Sequence, residues 1–323
     1  MMLSNLANQL RDFEGVKRKR AIGPLTRSLN EDVKRDEVLA SFGEDAAVIS
    51  HGEGLLLMAA DGIWSKLMTA DPKWSGYCAV LVNVHDIAAM GGKPIAMVDV
   101  FSVSEKKTCD LVSDGMREAV KKFNVPIIGG HIHPDTPYNA LDVAIIGSVK
   151  KDCVIYSSTA ETEDEIIVAV DLHGRVHPSS ELNWDSTSDR GPETLQRQID
   201  SMRVLGEAHL VSAGKDISNP GLIGTLGMLL EVSGKGAVVN IHEIPIPEEL
   251  SLNRWLKMYP GMGFIVTSRP EDSEDVISIF EDHEMSAAKI GEITDDSKLT
   301  ITDGSDSADV FDFEMDSITG LGC

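Results

Sequence analysis

Between residues 73 and 101 the apolar side chains change period within a few positions, and this change restricts the possible folds more than any other stretch. Tyr77, Val80, Leu81, Val84 and Ile87 recur at spacings of three and four, which predicts a helix packed against a sheet. Gly91 and Gly92 stop that helix, Pro94 blocks its continuation, and Ile95 to Phe101 reads as a strand. A helix that turns directly into an apolar strand belongs in a layered α/β architecture. Asp86 falls near the end of this helix, where a carboxylate would face a crevice rather than bulk water. A capping or ion-paired aspartate fits the same position.

The flanking pattern extends the same architecture. Phe42–Ser50 and Gly54–Ile63 read as two strands joined by the turn HGEG. Helix 105–123, strand 125–130 and a strand ending at Val149 follow in alternation. The polar, poorly periodic stretch at 150–164 marks a boundary, giving an N-terminal domain over 1–152 and a C-terminal one over 153–323. In the second part, DEIIVAVDL starts a new strand and Pro192 opens a helix to about Ala213. KDISNPGL leads into an apolar helix ending at Ser233-Gly234, GMGFIVTS and AAKIGEI are strands, and a further helix lies near 270–283. At the N-terminus, residues 3–14 suit a short helix.

Lys and Arg number 29 against 52 Asp and Glu, for a net charge of −23, which argues against a nucleic-acid partner. No apolar run reaches the roughly 20 residues of a membrane span, and no signal-peptide core is seen, so a cytoplasmic protein is expected. Four widely separated cysteines indicate neither a zinc site nor a disulfide framework; Cys323 is expected to be exposed. Within this acidic chain Lys17, Arg18, Lys19, Arg20 and Arg27 cluster, as either a solvated basic turn or a flexible arm supplying cations to a bound polyphosphate.

Asp45, Asp61, Asp86 and Asp216 each stand at the end of an apolar element. Brought together, they would take up protons unless a cation joined them, and magnesium with nucleotide phosphates suits such a set. Gly129-Gly130 after a strand permits close backbone approach, and Asn219-Pro220-Gly221 opens a helix whose free amides attract anions. Neither a Walker A motif nor a dinucleotide fingerprint after a strand is present. In GGHIHPD, His131 and His133 share a side if the segment is extended. His131 there is either a phosphate or proton-transfer ligand or a loop histidine satisfied by backbone.

Taken in order, GEDAAVI, ADGIWSKL, NVHDIAAMGGKP, IIGGH, KDISNPGL and MYPGMGF resemble the superfamily of AIR synthase, thiamine-monophosphate kinase, selenophosphate synthetase and hydrogenase maturation protein E, over about residues 40–267. The resemblance is nearest to the archaeal AIR synthase-related group associated with methanogenesis. It implies a two-domain α/β (α+β) fold, with an N-terminal sheet and helices forming a dimer barrel and a C-terminal α/β domain, homodimerisation through N-terminal strands, and magnesium ATP in the cleft. Asp45, Asp61, Asp86 and Asp216 match metal-ligand positions, and Ser218 matches one near the nucleotide phosphates. Lys66 matches a lysine of the AIR synthase pattern, and Gly261, Met262 and Gly263 fall where the acceptor is approached. Lys17, Arg20, Gly129, Gly130 and Asn219 complete the expected nucleotide site, with Lys66 and His131 as catalytic candidates. His131 and Asn219 stand where the kinase has aspartates, and Ala60 where it has a hydroxyl residue. The resulting expectation is an ATP- and Mg2+-dependent phosphoryl-transfer enzyme acting on an unidentified small-molecule acceptor. Its alternative is a nucleotide-binding regulatory or assembly paralogue without turnover.

Overall fold

The computed structural model describes residues 3–29, 35–259 and 261–322. Cys323 and Pro260 lie outside them. Three amino-terminal helices, α1 (Leu3–Arg11), α2 (Glu14–Lys19) and α3 (Ile22–Leu29), precede a mixed sheet. That sheet comprises β1 (Val38–Ala40), β2 (Ala47–His51), β3 (Gly54–Gly62), β4 (Lys93–Ser102), β5 (Ile127–His133) and β6 (Ala140–Val149), in the order β1-β2-β3-β6-β4-β5. Helices α4 (Ser65–Ala70), α5 (Pro72–Ala89) and α6 (Lys106–Phe123) interrupt it.

Helix α5 is the centre of the molecule. Asp71 caps it by accepting from the Trp74 amide at 3.0 Å, Pro72 supplies a preset first turn, and Gly91 at φ 71° ends it. The sequence predicts a helix with one buried face; α5 is instead buried nearly all round, between β3 and β6 on one side and α6 on another. Close approach to α6 requires glycine, since a Cβ at Gly76 would collide with the Val112 carbonyl and one at Gly115 with the Lys73 carbonyl.

The second half contains β7 (Glu165–Val170), the short ribbon β8 (Arg175–Val176) with β9 (Trp184–Asp185), α7 (Pro192–Ala208), β10 (Ala213–Asp216), α8 (Gly221–Ser233) and β11 (Gly236–Asn240). It continues through α9 (Leu252–Trp255), β12 (Gly263–Ser268), α10 (Ser273–Asp282), β13 (Ser286–Thr294), β14 (Lys298–Thr302) and β15 (Ser307–Asp312). Its sheet runs β10-β12-β7-β13-β11-β14-β15 and is covered on both faces at β7 and β12. Ile167, Ala169, Phe264 and Val266 join the core shared with α5, α7 and α10, whereas Ile166, Val168, Val170 and Ile265 pack with α1 and α8.

Several expected boundaries are corrected. Residues 42–46 form a loop rather than the start of a strand, with Gly43 at φ 107°. Helix α7 ends at Ala208 because His209 takes a left-handed conformation, and Ala213 already belongs to β10. The basic stretch is helical, not an arm: Val16 is buried in the second core and Gly15 lies against the Asn219 carbonyl. Helix α1 packs on β15 and α8, and Arg11 donates to the Val310 and Asp309 carbonyls. The change of sheet falls between β6 and β7, while α1 packs on β14, β15 and α8 and α2 on α8, in the second half.

Cys78, Cys109 and Cys153 are free thiols. Among the described residues, no helix is long and apolar enough to cross a membrane.

Candidate functional site

Each of the four aspartates is delivered by a different element. Asp45 lies in the loop before β2, Asp61 near the end of β3, Asp86 on α5, and Asp216 at the end of β10. Glu44 pins the first loop to the crossing between the two halves, accepting from the Ser157 amide and, at 2.6 Å, from the Ser158 hydroxyl. The Asp216 amide donates to Asp45 at 3.3 Å. Carboxylate oxygens of Asp45, Asp86 and Asp216 consequently lie within 4.8 Å of one another.

Such proximity is costly without a cation. Burial, reinforced by Asp61, Asp216 and Asp45, holds the Asp86 carboxyl well above its usual range. Burial and then Asp45 push Asp216 up to about 8, with Lys215 opposing them. Desolvation by the neighbouring protein raises Asp61 even though the residue remains solvent-exposed, and Lys19 opposes it. A set of three hard carboxylate donors, with no cysteine beside them among the described residues, fits Mg2+ rather than zinc. The residues present therefore suit the divalent ion that the sequence leads one to expect.

Lys215 was not anticipated. It is on β10 beside Asp216, and its ammonium donates to Asp45 with both side chains under a tenth exposed, at 8% and 5%. Neither a helical nor a strand period distinguishes it from an ordinary exposed lysine.

Two cavities meet at this cluster. One, of about 310 Å³, has Asp45, Asp86 and Lys215 in its wall with apolar Phe42, Met228 and Val232. The other, of about 290 Å³, is lined by Arg18, Lys66, Trp64, His85, Asn219 and Tyr259 among others. Lys19, Asp61, Asp216 and Ser218 line both. Arg18 and Lys66 lie 4.7 and 4.5 Å from the Trp64 ring centre, so cations crowd the mouth of the second cavity. At its wall, His85 is buried and its Nε2 has no hydrogen-bond partner; burial lowers its pKa to about 4, leaving the ring neutral. Asn219 Oδ1 is likewise buried, and among the described residues neither it nor His85 Nε2 has a hydrogen-bond partner.

Residues 43–149 match the family model described as AIR synthase related protein, N-terminal domain, and residues 161–304 match its C-terminal domain. The chain belongs to the AIR synthase-related family. It is 48% identical over 323 residues to an uncharacterized protein of Methanocaldococcus jannaschii, covering 99% of this chain and 100% of that one. Among solved structures, Thermotoga maritima PurL complexed with ADP superimposes with a TM-score of 0.74 at 16% identity, over 93% of this chain but 51% of PurL, so the chain spans about half of that protein. AaThiL complexed with AMPPCP and TMP gives 0.68 at 17% identity, over 90% and 96% of the two chains. These likenesses show that the chain has the AIR synthase fold.

Within this AIR synthase-related chain the sequence-predicted residues separate into two groups. Asp45, Asp61, Asp86, Asp216, Lys66, Ser218 and Asn219 surround the joined cavities. Gly129, Gly130 and His131 do not: Gly130 pairs with Asp99, Asp99 with Val143 and Val143 with Asp61, so two strands intervene. That places them roughly 14 Å from β3 across the sheet. His131 and His133 do share a side, with ring centres 4.5 Å apart on the exposed edge strand. Gly261, Met262 and Gly263 line a smaller neighbouring cavity with Trp184 and Trp255, joined to the second cavity through Tyr259. Lys17 pairs with Asp12 at 2.8 Å, and neither it nor Arg20 lines the cavities, whereas Arg18 and Lys19 do. Successive residues of α2 are rotated by about 100°, so only the helical phase, and not the local charge, decides which cation reaches the site.

Proposed function

We propose that the protein transfers a phosphoryl group from ATP, with Mg2+, to a small-molecule acceptor. The observation that carries this reading is the meeting of two cavities at one carboxylate cluster. The cavity with Phe42, Met228 and Val232 suits a nucleoside, and the cation-rimmed one suits an acceptor bearing negative charge. Mg2+ held by Asp45, Asp86 and Asp216, with Asp61 beside them, would neutralise charge on the phosphates. In the reaction the bond between the terminal phosphorus and the bridging oxygen breaks, ADP leaves with the electron pair, and an acceptor oxygen forms the new bond. Lys19 and Lys66 stabilise the equatorial oxygens, Ser218 offers its hydroxyl at the junction, and His85 and Asn219 orient the acceptor through their unpaired atoms. PurL complexed with ADP and AaThiL complexed with AMPPCP share the fold, which supports a nucleotide ligand.

Homodimerisation belongs to the same reading. The uncovered face of the first sheet is apolar at Met58, Val98, Val100 and Ile146, as a face awaiting a second copy would be. Gly129, Gly130 and His131 take part only across that interface.

Differential scanning fluorimetry tests the reading. AMPPCP with Mg2+ at about a hundredfold its Kd should stabilise the protein by ~2.7 kcal/mol, and Asp86→Asn should remove the gain. Absence of any shift with millimolar nucleotide and Mg2+ in the wild type would end the proposal. ADP release that requires an added acceptor separates turnover from mere nucleotide binding.

A further inference from the structure

Lys215 occupies an unusual place for a lysine. Its side chain and that of Asp45 are nearly excluded from water, at 8% and 5% exposure, so the pair is weakly screened. Asp45 is held twice, by the Lys215 ammonium on one oxygen and the Asp216 amide on the other, the latter at 3.3 Å. The same Asp45 belongs to the group whose oxygens lie within 4.8 Å. Once an ion holds all of them ionised, the four carboxylates Asp45, Asp61, Asp86 and Asp216 and the two ammoniums Lys215 and Lys19 leave two negative charges, which a single divalent ion balances. A second ion finds no further charge to neutralise until phosphates arrive.

We propose that Lys215 is a resident cation of the cluster that takes the place of one divalent ion, so that metal is held weakly by the nucleotide-free protein and tightly once nucleotide is present. This role rests on the phosphoryl-transfer reading of the site. Lys215 is a positioning residue in it: it fixes Asp45 and sets the charge that the ion meets, without touching the transferred group.

Manganese serves as the probe, with the free ion measured by electron paramagnetic resonance in titrations of the full chain with and without AMPPCP. In the nucleotide-free protein, Lys215→Met should bind Mn2+ at least about tenfold more tightly than the wild type, because a positive charge next to the incoming ion is gone. Lys215→Gln keeps a hydrogen-bond donor to Asp45 without the charge and should change binding in the same direction, which guards against a folding defect in one variant. Lys215→Arg should resemble the wild type. With AMPPCP present the difference between wild type and Lys215→Met should shrink. If both neutral variants bind Mn2+ no more tightly than the wild type while AMPPCP still recruits it, the role of Lys215 is wrong and the phosphoryl-transfer reading stands. If the wild type binds no Mn2+ even with AMPPCP, both fall.

Discussion

The two sheets of this protein are built alike and finished differently. In the second, β7 and β12 are buried on both faces, between α7 and α10 on one side and α1 and α8 on the other. In the first, α5 and α6 cover one face, while Met58, Val98, Val100 and Ile146 remain 40–50% exposed on the other. A sheet with one bare apolar face is either a contact surface or a liability, whereas a doubly covered sheet is a scaffold. The difference also divides labour at the carboxylates: the scaffold holds Lys215 and Asp216 rigidly at the end of β10, and the first sheet brings Asp61 to them beside Asp86 of α5.

The contrast can be broken most decisively at Phe264, fully buried on β12. Phe264→Ala should cost ~3–5 kcal/mol in urea unfolding, because a large ring leaves a core shared by both halves. A loss below about 1 kcal/mol would mean that the second sheet is not the scaffold.

A smaller effect of opposite sign is expected at the carboxylates. Asp216 has its folded pKa raised to about 8 against roughly 3.9 when unfolded, so its contribution favours the fold below pH 4 and is lost as pH rises towards 8. In metal-free protein Asp216→Asn should therefore raise stability by ~1–2 kcal/mol at pH 8 and by little at pH 4, while abolishing the stabilisation by Mg2+ and AMPPCP. Melting curves across that pH range read both, and a stability gain that does not grow with pH would contradict the burial of this group.

The smallest change in folding free energy is expected on the bare face. Val100→Asp should alter unfolding by less than about 0.5 kcal/mol at low protein concentration, yet convert a dimer to a monomer in sedimentation velocity. A wild type that stays monomeric at high concentration would remove the distinction between a contact face and a merely exposed one.

Much of the first sheet was legible because its signals are local. The spacing from Tyr77 to Ile87, the stop at Gly91 and the strand beyond it need only neighbours in sequence. Burial of α5 on its remaining sides was not legible, since it depends on α6 and on the second half folding over it. The extra turns assigned to α7 overlooked His209, whose left-handed conformation carries no strong residue preference.

The carboxylates show the same divide. Their residue type and their positions at the ends of apolar elements made Asp45, Asp61, Asp86 and Asp216 candidates without coordinates, and motif order placed them in a family. Sequence alone could establish which elements form and which side chains have the chemistry to hold a cation, because propensity, capping and donor type are properties of short stretches. The tertiary structure alone decided that three carboxylates meet and that Lys215 sits among them. It also decided that Arg18 and Lys19 rather than Lys17 and Arg20 reach the cavities, and that two strands separate His131 from the cluster. Those facts depend on helix phase, strand order and contacts between residues as far apart as 45 and 215, which no local pattern encodes.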